Sequence, residues 1–133
     1  MVIDTSAILA ILKQESDAPA IAERLAGNQR ILMSSATFME CGTVVVGRYG
    51  PAGTAALTGL LEKLKVTIVD LSAEHAQAGI KAYGLYGRGS GHPAKLNMGD
   101  CFAYALAKTR NLPLLFKGDD FIHTDIEPAL RPA

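Results

Sequence analysis

The sequence predicts an α/β fold, a mostly parallel sheet with helices on both faces. Three observations carry this. Short apolar runs at residues 1–3, 31–33, 66–71 and 114–116 alternate along the chain with apolar or amphipathic stretches of helical length. The first of these runs is followed directly by a helix, as befits a central parallel strand buried on both faces. And 133 residues, with no repeat and no linker, suit one domain spanning 1–133.

The elements follow in order. Residues 1–3 form the first strand, ending at Asp4, and Thr5 and Ser6 cap a helix over 7–13. Pro19 suits the first turn of a second helix, which ends near Ala26 and Gly27. Residues 31–33 form the second strand. Ser34 and Ser35 lead into a helix that runs to about Tyr49, where Gly50 and Pro51 stop it. A fourth helix covers 52–64, and the β-branched run at 66–71 is the third strand. Ser72 caps a fifth helix over 73–86. Residues 87–99, GRGSGHPAKLNMG, form the clearest long loop. A sixth helix runs from Gly99 or Asp100 to Arg110, apolar nearly all along and therefore buried, with Lys108 and Arg110 complementing its C-terminal dipole. The fourth strand is 114–116. Asp119 to Phe121 turn away from it, and 124–127 are expected to add a short edge strand, giving four to five strands in all.

Composition narrows the function. Hydrophobic residues make up 49% of the chain and charged residues 20%, which supports a packed core and excludes disorder. No apolar run is long enough to span a bilayer, so no membrane role is expected. The apolar N-terminus lacks the basic start of a signal peptide and carries Asp4. Thirteen basic residues balance thirteen acidic ones, which argues against a protein that coats nucleic acid by charge alone. Cys41 and Cys101 lie in apolar helical segments and read as reduced, packed thiols suited to the cytoplasm; no Cys/His spacing makes a zinc site.

The acids carry the chemistry. In open α/β sheets ligands sit outside the carboxyl ends of the strands. Asp4 and the Asp119–Asp120 pair are expected at such ends, and Glu40 and Asp100 in the first turns of helices facing the same cleft. Each has an ordinary explanation alone. Asp4 can hold a strand–helix turn, Thr37-x-x-Glu40 matches a capping box, Asp100 suits a helix start, and Asp119 and Asp120 are turn formers. Together they are harder to dismiss. Two carboxylates near 4 Å repel by roughly 4 kcal/mol at an effective dielectric near 20. A cluster therefore needs protons or a cation, and oxygen ligands favour Mg²⁺, with Mn²⁺ as substitute.

Rival motifs are weak. Gly87, Gly89 and Gly91 lack the Lys-Ser/Thr of a phosphate-binding loop, and no serine sits in a nucleophile elbow. His75 reads as surface or packing, while His92 and His123 lie in loops near the cleft.

The segments MVIDTSAILAIL, FMECG, NMGDCFAYALAK and PLLFKGDDFIHTDI, taken in order, resemble the PIN-domain toxins of the VapC type across essentially the whole chain. The resemblance implies a three-layer α/β/α sandwich. It implies a Mg²⁺-dependent endoribonuclease, the toxic half of a type II toxin–antitoxin pair. It also implies a homodimer and inhibition by a VapB-type antitoxin whose tail covers the active site. Asp4 and Asp100 match the family's metal-binding aspartates and Glu40 its middle acid. Asp120, directly before Phe121, is the better match for the fourth acid, with Asp119 the alternate. Ser6 matches a hydroxyl often found beside the metal.

On this basis metal-activated water attacks an RNA phosphodiester. Arg88, His92 and Lys95, and Arg48 on the third helix, are candidate RNA contacts. Two other functions compete. One is a PIN-like RNA-binding domain that has lost catalysis. The other is a receiver-type phosphoacceptor, with Asp70 phosphorylated and Lys117 beside it, although such a module's acid pair after the first strand is missing. The apolar stretches 38–46 and 57–64 are expected to bury, in part, a second copy or an antitoxin segment.

Overall fold

A computed structural model describes residues 1–27 and 29–131. Its strands are β1 (Val2–Ile3), β2 (Leu32–Ser34), β3 (Thr67–Val69) and β4 (Leu114–Leu115). The helices are α1 (Thr5–Leu12), α2 (Ala18–Leu25), α3 (Ser35–Tyr49), α4 (Pro51–Lys63), α5 (Ala73–Tyr86) and α6 (Met98–Arg110). A 3₁₀ turn at Phe121–His123 follows β4. All strand pairs are parallel, in the order β3-β2-β1-β4, with Val2 opposite both Leu32 and Leu114.

Successive strand residues point to opposite faces, and here they separate cleanly. Ile3, Met33 and Leu115 join α1–α4 side chains (Ile8, Ile21, Val45, Leu57) in one core. Val2, Leu32 and Leu114 join α6 side chains (Ala103, Leu106) in the other. Both faces of β1, β2 and β4 are covered, which makes the three-layer sandwich and explains strands that are apolar without alternation, while the edge strand β3 stays largely exposed. The chain steps from β1 out to β3 through α1–α4, then returns through α5 and α6 to place β4 on the far side of β1. The strand order therefore reverses beside β1, and the carboxyl ends of β1 and β4 flank the resulting crevice. No helix among the described residues is long and apolar enough to cross a membrane.

Three expectations need correction. Asp4, not Thr5 or Ser6, caps α1, its carboxylate accepting the Ser6 N–H at 3.1 Å. Helix α3 begins at Ser35 with Ser34 as its cap, so Thr37 and Glu40 form no capping box, and Glu40 lies in the second turn rather than the first. Residues 124–127 form no edge strand. The Thr124 hydroxyl bonds back to the Phe121 carbonyl, and only an isolated bridge joins Leu114 to Pro128. Proline has no N–H with which to extend a ladder.

Candidate active site

Asp4 follows β1 directly and is only 4% exposed. Its Oδ2 accepts both hydrogen bonds it makes among the described residues, from the Ser6 amide and from Ser6 Oγ at 2.7 Å. Ser6 Oγ in turn accepts the Lys117 N–H at 2.9 Å, which ties the start of α1 to the turn after β4. Burial pushes the Asp4 pKa up to about 7, against the Ser6 bonds, and the negative charges of Asp100 and Glu40 raise it further. The carboxyl thus sits where a proton or a cation relieves its charge.

Asp100 is the third residue of α6. It forms a capping box with Asn97, its Oδ2 accepting the Asn97 N–H at 3.0 Å while its own N–H donates to Asn97 Oδ1 at 2.8 Å. Burial raises its pKa despite the Asn97 bond. Asp120 and Glu40 also push it up, and Arg88 draws it down. Asp119 is not among the charges acting on it. Both Asp119 and Asp120 are exposed, and the Asp120 side chain caps no helix.

Glu40 reaches the same region from α3. Its Oε1 accepts the Thr5 hydroxyl at 2.7 Å, and its carboxylate lies against Gly99 at the start of α6. Four chain segments thus bring acids together: Asp100 and Glu40 act on Asp4, and Asp120 and Glu40 act on Asp100. The geometry is open: among the described residues no three acids, histidines or cysteines converge into a preformed metal cluster. Asp4, Glu40 and Asp100 each have one oxygen anchored by hydrogen bonds, and their second oxygens make none among the described residues. An all-oxygen donor set of this kind, half anchored and half unengaged, fits a hard divalent ion that keeps several waters.

The basic candidates separate. Arg88 is exposed at the head of the 87–96 loop and acts on Asp100. That loop is pinched shut by Arg88 N–H to Leu96 O at 3.0 Å and Leu96 N–H to Tyr86 O at 2.9 Å. His92 serves the loop itself, with its ring edge-on to Tyr86 at 4.8 Å and its Nδ1 accepting the Ala94 N–H. Lys95 is exposed, and its charge does not appear among those acting on Asp4 or Asp100. Arg48 lies about 12 Å further along α3 than Glu40, at 1.5 Å per residue. His75 is buried and completes the capping box of α5, its Nδ1 accepting the N–H of the capping Ser72 at 3.4 Å. Cys41 and Cys101 are buried free thiols, pushed up to about 12 and about 11, chiefly by burial.

The receiver-type arrangement is not present. Asp70 follows the edge strand β3, two strands or about 10 Å from β1. The Lys117 ammonium pairs instead with Glu15 at 3.2 Å and Asp17 at 3.3 Å.

Two contributors escape a sequence reading. Thr5 looks like a helix cap yet holds Glu40. Gly99 looks like a helix-start residue yet makes room for a carboxylate.

Comparison with known proteins agrees with this architecture. The model of the PIN domain family matches residues 1–127. Ribonuclease VapC28 of Mycobacterium tuberculosis is 45% identical over 130 residues, covering 98% of each chain. Among solved structures, M. tuberculosis VapC20, described as a Sarcin-Ricin loop cleaving toxin, superposes with a TM-score of 0.75 at 15% identity, over 98% of both chains. VapBC2 from Rickettsia felis, bound to a DNA fragment from its promoter, gives 0.74 at 19% identity, over 96% of this chain and 94% of that one. The last two show the fold; the family match and the 45% identical relative show the lineage. The chain is a PIN domain and belongs to the VapC ribonuclease family.

Proposed function

We propose that the chain is a Mg²⁺-dependent endoribonuclease and the toxic component of a type II toxin–antitoxin system, working in the cytoplasm. One observation carries the reading: the charges of Asp100 and Glu40 both act on buried Asp4, after the interior strand β1, so that negative charge is concentrated where a parallel sheet binds ligands.

Asp4 and Asp100 hold the ion, and Mn²⁺ substitutes for Mg²⁺. What the bound ion supplies is a water of lowered pKa and neutralisation of a phosphate that the bare acids would repel. Ser6 fixes the Asp4 carboxylate through its hydroxyl. Glu40, held by Thr5, and Asp120 would complete the donor set, hold waters or, one of them, accept a proton from the attacking water. Asp119 is the alternate to Asp120, and the action of Asp120 on Asp100 favours Asp120. Arg88, whose charge acts on Asp100, supplies a positive group for the RNA phosphate, with Lys95 and His92 as further candidate contacts on the same loop.

The partners follow. The Rickettsia relative's complex supports a VapB-type antitoxin for this chain. A homodimer is supported by apolar surface, although not all of it lies where the sequence suggests. Leu57 and Leu61 of α4 belong to the core. The expected 38–46 stretch of α3 does expose Phe38, Met39 and Val46, and further exposed apolar residues mark α5 and the start of α6 (Ile80, Tyr83, Leu85, Met98). A groove of roughly 570 Å³ between α5 and α6 joins Ile80, Tyr83, Met98 and Phe102.

The test is cleavage of a panel of structured RNAs, tRNA included, with Mg²⁺ present or chelated. Magnesium-dependent cleavage of at least one RNA is expected. Binding without cleavage under either Mg²⁺ or Mn²⁺ would mark a catalytically silent RNA-binding domain instead.

A further inference from the structure

Gly99 is buried at the second position of α6, and its backbone is ordinary right-handed helix, so conformational freedom does not account for it. A helix position of this kind favours alanine over glycine. What accounts for it is contact. A Cβ built on Gly99 would fall within the Glu40 carboxylate, 2.6 Å from Cδ, 2.9 Å from Oε1 and closer still to Oε2. Of the other described glycines, Gly53 and Gly87 meet backbone carbonyls and side-chain carbons, and Gly79 meets Cys101 and Ala105. Gly99 alone leaves its space to an acid.

We infer that Gly99 is a positioning residue for the metal site: its missing side chain lets Glu40 settle between the first turns of α1 and α6, within reach of Asp4 and Asp100. This rests on the reading that those aspartates hold a divalent ion.

The obstruction from a methyl group falls on the far end of a flexible side chain, so α6 need not shift. Glu40 turns away instead. Turning costs it the Thr5 hydroxyl bond and removes the third carboxylate from the site. The three heavy atoms nearest the built Cβ all belong to Glu40, so that side chain is what must move first. A shorter acid at position 40 ends one methylene earlier and escapes the obstruction. The effect of a methyl at 99 therefore depends on the length of the side chain at 40, as residues in contact require.

The test is Mn²⁺ binding by the purified full chain, read from the electron paramagnetic resonance of free Mn²⁺. It compares wild type with Gly99→Ala, Glu40→Asp, the double variant and Asp4→Asn, with thermal midpoints measured on the metal-free proteins. Gly99→Ala is expected to weaken binding by about ten-fold or more, the scale of supporting contacts around a metal, at an unchanged or raised midpoint. In the Glu40→Asp background the same change is expected to cost less than about three-fold, the remainder being coupling. Wild-type affinity in Gly99→Ala, an equal cost in both backgrounds, or a midpoint lowered by several degrees would each overturn the inference while leaving the site standing. If wild-type binding is absent or unaffected by Asp4→Asn, the site itself is wrongly placed and the role of Gly99 falls with it.

Discussion

The Thr5 hydroxyl donates a 2.7 Å hydrogen bond to Glu40 Oε1, joining the first turn of α1 to the second turn of α3 across 35 positions of sequence. Thr5 is itself buried beside Asp4, so one threonine fixes the relation between two acids supplied by different segments. Thr5→Val keeps the shape and removes the donor. It is expected to weaken Mn²⁺ binding and lower kcat by roughly ten-fold, while Thr5→Ser, which keeps the hydroxyl, stays within about three-fold of wild type. Calorimetric metal titration and steady-state cleavage rates measure both. A valine variant of normal affinity and rate would show that Glu40 needs no such tether.

The Asp4 carboxyl makes the metal-free protein sensitive to pH. Its pKa rises from 3.8 to about 7 on folding, mainly through burial. The folded state therefore keeps a proton that the unfolded chain has released, and stability falls as the pH rises from about 4 to about 7. Asp4→Asn cannot ionise and escapes that loss. With divalent ions chelated, the variant is expected to gain on wild type by on the order of 2–4 kcal/mol between pH 5 and pH 8. Urea denaturation at the two pH values measures this, and an advantage independent of pH would contradict it.

A second polar cluster supports the far end of α6. Asp125 accepts the Tyr104 hydroxyl at 2.6 Å and the Lys108 ammonium at 2.6 Å. Partial burial alone would raise the Asp125 pKa, and these bonds outweigh it and hold the pKa below 3.8. A depressed carboxylate stabilises the fold above the unfolded pKa and stops doing so as the pH falls through its own, lower value. Asp125→Asn is expected to lose about 1 kcal/mol at pH 7, the partly exposed ion pair adding little, and progressively less as the pH falls below 3.8. Paired unfolding curves at neutral and acid pH decide the matter; a loss that persists at acid pH would count against it.

Ile80 is 74% exposed on α5 beside the α5–α6 groove. Replacing an exposed side chain leaves the core alone, so Ile80→Lys is expected to fold normally. It is also expected to shift the sedimentation behaviour from dimer towards monomer at micromolar concentration. A wild-type chain that sediments as a monomer at every concentration, or a lysine variant that dimerises equally well, would remove this face from the interface.

Much of the architecture is legible before any coordinates. The run at residues 1–3 ends in an acid and meets a helix, and the nearly all-apolar sixth helix announces its burial. Ser34, Ser72, Gly50 and Pro51 mark their boundaries because capping and helix breaking are local chemistry. The misses are the places where distant contacts override local pattern. Thr37-x-x-Glu40 satisfies a capping box on paper, yet the helix starts earlier and Glu40 is engaged by Thr5, a partner that no local window contains. The edge strand at 124–127 fails because the Thr124 hydroxyl turns the chain and Pro128 cannot extend the ladder. Ile80 and Tyr83 share the spacing of an ordinary core stripe, so only the tertiary arrangement shows them facing outward. Asp119 and Asp120 are adjacent and chemically identical; the difference between them is which one acts on Asp100.

On the proposed reading, Asp4 at the end of β1 and Asp100 in the first turn of α6 together run a metal-dependent cleavage of RNA. The most direct measurement is Mg²⁺-supported cleavage by wild type, Asp4→Asn and Asp100→Asn, each checked for an intact fold by circular dichroism. Each substitution is expected to lower the rate by roughly two orders of magnitude or more, as removal of a group acting on the transition state does. Chelation should abolish wild-type cleavage, and Mn²⁺ should restore it. Two folded variants that cleave RNA at the wild-type rate would contradict the account.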